Sequence, residues 1–131
     1  MSKLTTETRK SVSPYLIVHG AAALIDFLAR TFAATETHRT ARADGTVRHA
    51  EVRIGDSIVM LADATPEFAA RPATLHVYVD DVDAVYQRAL QAGAHSLREP
   101  ANQASGNRNA GVADACGNQW WIATPEDAAG H

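Results

Sequence analysis

The sequence predicts an α+β chain built of two tandem βαβββ modules. Three observations carry that expectation. Pro72–Ala94 reads as a strand running into a helix, with Leu75, Val77 and Val79 alternating against Thr74, His76 and Tyr78 before the spacing turns helical. The same strand-then-helix order begins near Ser13 and restarts after a stretch carrying Pro66 and Pro72. Asp44-Gly45 and Gly55-Asp56 are tight-turn signals between short alternating runs, the mark of hairpins within a sheet.

In the first module, Ser13–Val18 is the opening strand, with Leu16 and Val18 on one face and Ser13, Tyr15 and Ile17 on the other. Gly20 breaks it. Ala21–Phe32 then places Leu24, Ile25, Phe27, Leu28 and Phe32 on one broad apolar stripe of a helix. A threonine-rich strand follows over Ala34–Ala43. Val47–Ile54 returns, with Ala50, Val52 and Ile54 alternating against His49, Glu51 and Arg53, and Ile58–Leu61 closes the module. The second module runs Leu75–Val79, a helix Asp81–Ala92 capped by Asp80 or Asp81, and strands at His95–Arg98, Arg108–Ala113 and Gln119–Thr124. Gly93 suits a left-handed helix end, 99–107 reads as a polar loop and 114–118 as a turn. The expected boundaries are a tail over 1–10, modules over 11–63 and 74–124, a linker over 64–73 and a second tail over 125–131.

The totals exclude several function classes. A chain of 131 residues with 46% hydrophobic residues buries an ordinary core without staples. A net charge of -3 argues against a nucleic-acid binder. No apolar run spans a membrane, 1–10 lacks the apolar centre of a signal peptide, and the single cysteine suits a reducing, cytoplasmic setting. Cys116, in its turn, reads as a bystander thiol.

Several stretches resemble the vicinal oxygen chelate superfamily of glyoxalases, bleomycin-resistance proteins and extradiol dioxygenases. They are Pro14-Tyr15-Leu16-Ile17-Val18, Ile25-Asp26-Phe27, His49 through Ser57, and His76 through Asp83. These resemble in particular a glyoxalase-like subgroup first named from phosphonate-utilisation operons. Gly106-Asn107-Arg108 and Asp114 through Trp120 look like degraded forms of that subgroup's later motifs. The resemblance implies two sheets curling around a shared cavity that holds a small molecule, and a homodimer, for which the linker leaves room. It also implies metal ligands on the first and fourth strands of each module, which fall on Ser13, Met60, Thr74 and Trp121. A hydroxyl, a thioether and an indole are poor ligands where His, Gln or Glu is usual. Neither metal nor other cofactor is therefore expected, which counts against glyoxalase and dioxygenase chemistry. A metal-dependent isomerase or lyase of the lactoylglutathione-lyase type, and an antibiotic-sequestering protein, are the alternatives.

Strand parity supplies candidate site residues independently. If Gly55-Asp56 is a two-residue turn, Glu51 lies opposite Met60; if Asp44-Gly45 is one too, His38 lies opposite Glu51 and Thr40 opposite His49. His49 and Glu51 read either as a base and its orienting partner or as a solvated polar face. His76 and Tyr78 are expected to line the cavity, Trp121 to offer a stacking surface and Trp120 to be core. Arg108 reads as an anion clamp or a surface arginine. The expected small-molecule contacts are thus His49, Glu51, Met60, His76, Tyr78, Arg108 and Trp121, with Glu51 and His49 the catalytic candidates. A new metal site from His38, His49, Glu51 and His76 has no spacing signature behind it.

Overall fold

A computed structural model describes residues 11–125. The expected tail over 1–10 and nearly all of that over 125–131 lie outside them. The chain divides into two compact units, one ending at Arg71 and one beginning at Pro72. Each carries one helix on a four-stranded sheet, the two βαβββ modules read from the sequence.

In the first unit β1 (Tyr15–Val18), α1 (Ala21–Phe32), β2 (Thr35–Ala41), β3 (Val47–Ile54) and β4 (Ser57–Asp63) give the sheet order β1-β4-β3-β2. β1 lies parallel to β4 and the other pairs are antiparallel. Leu16, Val18, Ala50, Val52, Val59 and Leu61 are buried together with Leu24, Ile25 and Leu28 of α1. Gly20, at the start of α1, has φ 95° and supplies no side-chain cap. Asp63, at the end of β4, does that work from a distance. Its Oδ1 accepts from the N–H of Gly20 (2.8 Å) and of Ala21 (2.9 Å), and its Oδ2 from the N–H of Val47 (2.8 Å).

Gly55-Asp56 is a two-residue turn, with Ile54 opposite Ser57. Asp44-Gly45 is not. The Arg42 N–H bonds Thr46 O (2.8 Å) and the Gly45 N–H bonds Arg42 O (2.9 Å), so the loop is the three residues Ala43, Asp44 and Gly45, with Gly45 at φ 90°. That alone would offset every pair by one. The offset is undone at once, because Thr40 lies opposite His49 but Ala41 opposite Val47, leaving Arg48 as an extra residue in β3. His38 therefore does lie opposite Glu51, by a route the sequence did not reveal.

In the second unit β5 (Thr74–Tyr78), α2 (Val82–Gln91), β6 (His95–Asn102), β7 (Arg108–Ala113) and β8 (Gln119–Ala123) give the order β5-β8-β7-β6. Asp81 is the cap of α2, accepting from the Ala84 N–H at 3.1 Å, and Gly93 follows the helix at φ 104°. α2 packs on β6, β7 and β8, so Leu75 and Val77 of the edge strand β5 are only half-buried. β6 runs four residues past Arg98, through what reads from sequence as a polar loop. Pro100 suggests a strand end, but it falls at an irregularity of an edge strand, where a missing N–H is tolerated. The connection to β7 has the same three-residue form as Ala43–Gly45: the Gln103 N–H bonds Asn107 O and the Gly106 N–H bonds Gln103 O. Among the described residues, no helix is long and apolar enough to cross a membrane.

Candidate functional site

Alternation leaves one face of each sheet free of its helix. In the first module, register places Tyr15, Met60, Glu51 and His38 side by side across β1, β4, β3 and β2. His49 sits one strand step from Glu51. The Tyr15 hydroxyl lies 2.8 Å from His49 Nδ1, and His49 Nε2 lies 3.1 Å from Glu51 Oε2. As a carboxylate, Glu51 can only accept, so His49 donates from Nε2 and its Nδ1 accepts the Tyr15 proton. The three side chains form one directed chain, Tyr15 to His49 to Glu51. The His38 ring stands beside it, 5.8 Å from that of His49. His49 and Glu51 are sheltered, with side chains 28% and 13% exposed, which strengthens the bond between them relative to water.

Tyr15 is the residue that sequence reasoning left out of the site. Its parity with Ser13 and Ile17 was readable, but the parallel pairing of Tyr15 with Met60 was not, because no turn joins β1 to β4.

The matching row of the second module is His76, Trp121, Gly111 and Arg98. Tyr78 is 65% exposed and packs edge-on against His76, with ring centroids 4.8 Å apart. Trp120 is fully buried and donates from Nε1 to Asp114 Oδ2 (2.8 Å), whereas Trp121 lies on the opposite face. The Trp121 indole rests on Gly111, where an added Cβ would stand 2.5 Å from Cζ3, and the Arg98 guanidinium lies 5.2 Å from a Trp121 ring centroid. Gly111→Ala is expected to lever the indole off its strand at a cost of about 2 kcal/mol. A changed Trp fluorescence spectrum with a lower urea midpoint checks this; an unchanged spectrum contradicts it.

Arg108 stands apart from these rows. It shares parity with the buried Ala110 and Val112, so it points to the helix side. There it makes a forked pair with Asp83 of α2, at 2.7 and 2.9 Å, and a bond to Asn102. The guanidinium holds the Asp83 carboxyl below its ordinary pKa. Cys116 lies in the turn after β7, where its N–H bonds Asp114 Oδ1 (2.8 Å).

The model of the glyoxalase/bleomycin resistance protein/dioxygenase superfamily matches residues 11–122. The chain belongs to that superfamily. It is 38% identical over 126 residues to uncharacterized proteins of Mycobacterium bovis and Mycobacterium tuberculosis, matching 88% of this chain and 83% and 74% of theirs. Among solved structures it resembles TioX from a Micromonospora species (TM-score 0.71, 25% identity, 88% of this chain and 96% of that one). It also resembles the fosfomycin resistance protein FosX of Mesorhizobium loti (TM-score 0.66, 18% identity, 88% and 92%), a likeness of fold.

The positions to which the resemblance assigns metal ligands are Ser13, Met60, Thr74 and Trp121. Two hydroxyls, a thioether and an indole whose only nitrogen carries hydrogen do not make a donor set for a divalent ion. The residues present do not fit the group, and no chemistry is routed through it. Among the described residues, no three His, Cys, Asp or Glu side chains are gathered as a metal site elsewhere.

Proposed function

We propose that this chain binds a small organic molecule on the helix-free face of its first sheet, without a metal at the superfamily's inherited positions. The observation that supports the reading is the Tyr15–His49–Glu51 chain. A polar chain of this kind, sheltered at His49 and Glu51 and ending in an exposed tyrosine, orients a ligand by hydrogen bonding. It also suits proton transfer. A ligand proton passes to the Tyr15 oxygen as the tyrosine proton moves to His49 Nδ1, and Glu51 stabilises the imidazolium. His49 is then the base and Glu51 its support, with Met60 as an apolar neighbour. In the second module, His76, Tyr78 and Trp121 provide an aromatic contact face of their own.

A thermal-shift screen of small organic molecules, run in chelator and again with divalent metals, tests this, since a ligand of the native state raises its melting temperature. Glu51→Gln is expected to fold normally and weaken any ligand found by about tenfold, the effect of one charge-assisted bond. His76→Ala should also fold normally and weaken it. A sequestering protein of the resistance type, which needs an apolar pocket and no base, would lose only part of its affinity on Glu51→Gln and show no turnover to lose. The same reading includes a homodimer in a cytoplasmic setting. Light scattering should give twice the chain mass across micromolar concentrations; a monomer throughout contradicts that part.

A further inference from the structure

The first module carries a pocket of about 760 Å³ beside the tyrosine end of the Tyr15–His49–Glu51 chain. Its wall includes Tyr15, Ile17 and Ala62, two arginines, Arg42 and Arg48, and the loop residues Glu67 and Phe68. The Arg48 side chain is there because of the bulge. Without an extra residue in β3, Arg48 would share parity with Ala50 and Val52, which are fully buried. With it, Val47 keeps the core position, and Arg48 and His49 both turn to the other face. Bulges that re-aim a side chain in this way gather at functional sites.

The charges around the pocket are unequally committed. Arg42 donates to Thr46 Oγ1, Val47 O and Asp63 O, all neutral oxygens. The Asp63 carboxylate is taken up by three backbone N–H groups. Arg48 is exposed and makes no hydrogen bond or ion pair among the described residues. Glu67 is the acid on the loop side. Phe68 is 61% exposed on a loop whose backbone is fixed, because its N–H bonds Thr65 Oγ1 (3.0 Å) and its carbonyl accepts from the Thr65 N–H (2.9 Å). An exposed phenyl ring on a hydrogen-bonded loop, at a pocket with an uncommitted guanidinium, is a surface for a flat molecule carrying negative charge.

We propose that this pocket binds an organic oxyanion with a flat apolar body, Arg48 pairing with the charged group, Phe68 and Ile17 covering the body, and the Tyr15 oxygen meeting a second polar group. The proposal deepens the ligand-site reading of the first module and rests on it. The probes are 2-naphthoate and its neutral counterpart 2-naphthamide, titrated calorimetrically into the full chain. Wild type is expected to prefer the naphthoate by about tenfold. Arg48→Gln should erase that preference while leaving the ligand-free melting temperature unchanged, because the Arg48 side chain has no bond among the described residues. Phe68→Ala should weaken both probes alike. Glu51→Gln should leave the preference for the charged probe intact, which separates this site from the fate of the proton chain. Equal binding of the two probes, no binding of either, or a preference that survives Arg48→Gln overturns the proposal.

Discussion

Asp114→Ala is expected to destabilise the protein by about 4 kcal/mol, lowering its melting temperature by roughly 15 °C. Asp114 is 4% exposed. Its Oδ1 accepts from the N–H of Cys116 (2.8 Å) and of Asn118 (3.0 Å), and its Oδ2 from Asn118 Nδ2 (3.0 Å) and Trp120 Nε1 (2.8 Å). Asn118 and Trp120 are both fully buried. Alanine leaves these donors facing a void, and a buried donor without a partner costs about 1–3 kcal/mol. The damage spreads, since Asn118 Oδ1 also receives the Ala73 N–H at the mouth of β5. Asp114→Asn is expected to recover only part of the loss, because its amide nitrogen would turn a donor toward donors at one of the two oxygen positions. Urea unfolding followed by near-ultraviolet dichroism, which reports Trp120, checks this. A loss below about 1 kcal/mol for alanine would mean that Asp114 does not organise the turn.

The second large effect belongs to Asp63→Ala, at about 3 kcal/mol. Three backbone N–H groups lose their acceptor, two of them at the start of α1, where Gly20 supplies no side chain. The effect has a pH signature. Burial pushes the Asp63 carboxyl up, but the N–H groups of Ala21, Val47 and Gly20, with the charge of Arg42, outweigh it and hold its pKa below the ordinary value. A carboxyl depressed in the folded state stabilises fully above its unfolded pKa of about 3.9, and that contribution drains as pH falls through the lower folded value. The stability gap between wild type and Asp63→Asn should therefore be constant above about pH 5 and narrow below about pH 4. A gap that widens on acidification contradicts the assignment.

The structural work of neither aspartate was legible in the sequence, although Asp114 opens a stretch that reads as a turn. Both lie at strand ends, where acidic residues are ordinary; the bonds of Asp63 reach residues up to 43 positions away, and those of Asp114, though all within six positions, lie in a stretch that reads from sequence only as a turn. Alternation, by contrast, was fully legible. Leu16, Val18, Ala50 and Val52 could bury one face only, so the opposite face had to carry His49 and Glu51. The register of β3 on β4 was legible because Gly55-Asp56 admits one close geometry. That of β2 on β3 was legible in outcome but not in cause: the extra loop residue and the Arg48 bulge cancel, and nothing local in the sequence marks either. The Tyr15–Met60 pairing comes from a parallel contact between strands separated by more than 40 positions, beyond the reach of turn chemistry. Arg108 drew attention by its motif, yet its parity with Ala110 and Val112 already pointed to the helix side.

The central claim is that the Tyr15–His49–Glu51 face binds a small molecule without a metal. The measurement that tests it most directly is calorimetric titration of a ligand from the thermal-shift screen, in chelator, into wild type and Glu51→Gln. The account predicts unchanged wild-type affinity whether chelator or divalent metal is present, and a loss of about tenfold in Glu51→Gln. Binding that vanishes in chelator, returns with zinc or manganese and is indifferent to Glu51→Gln would contradict it.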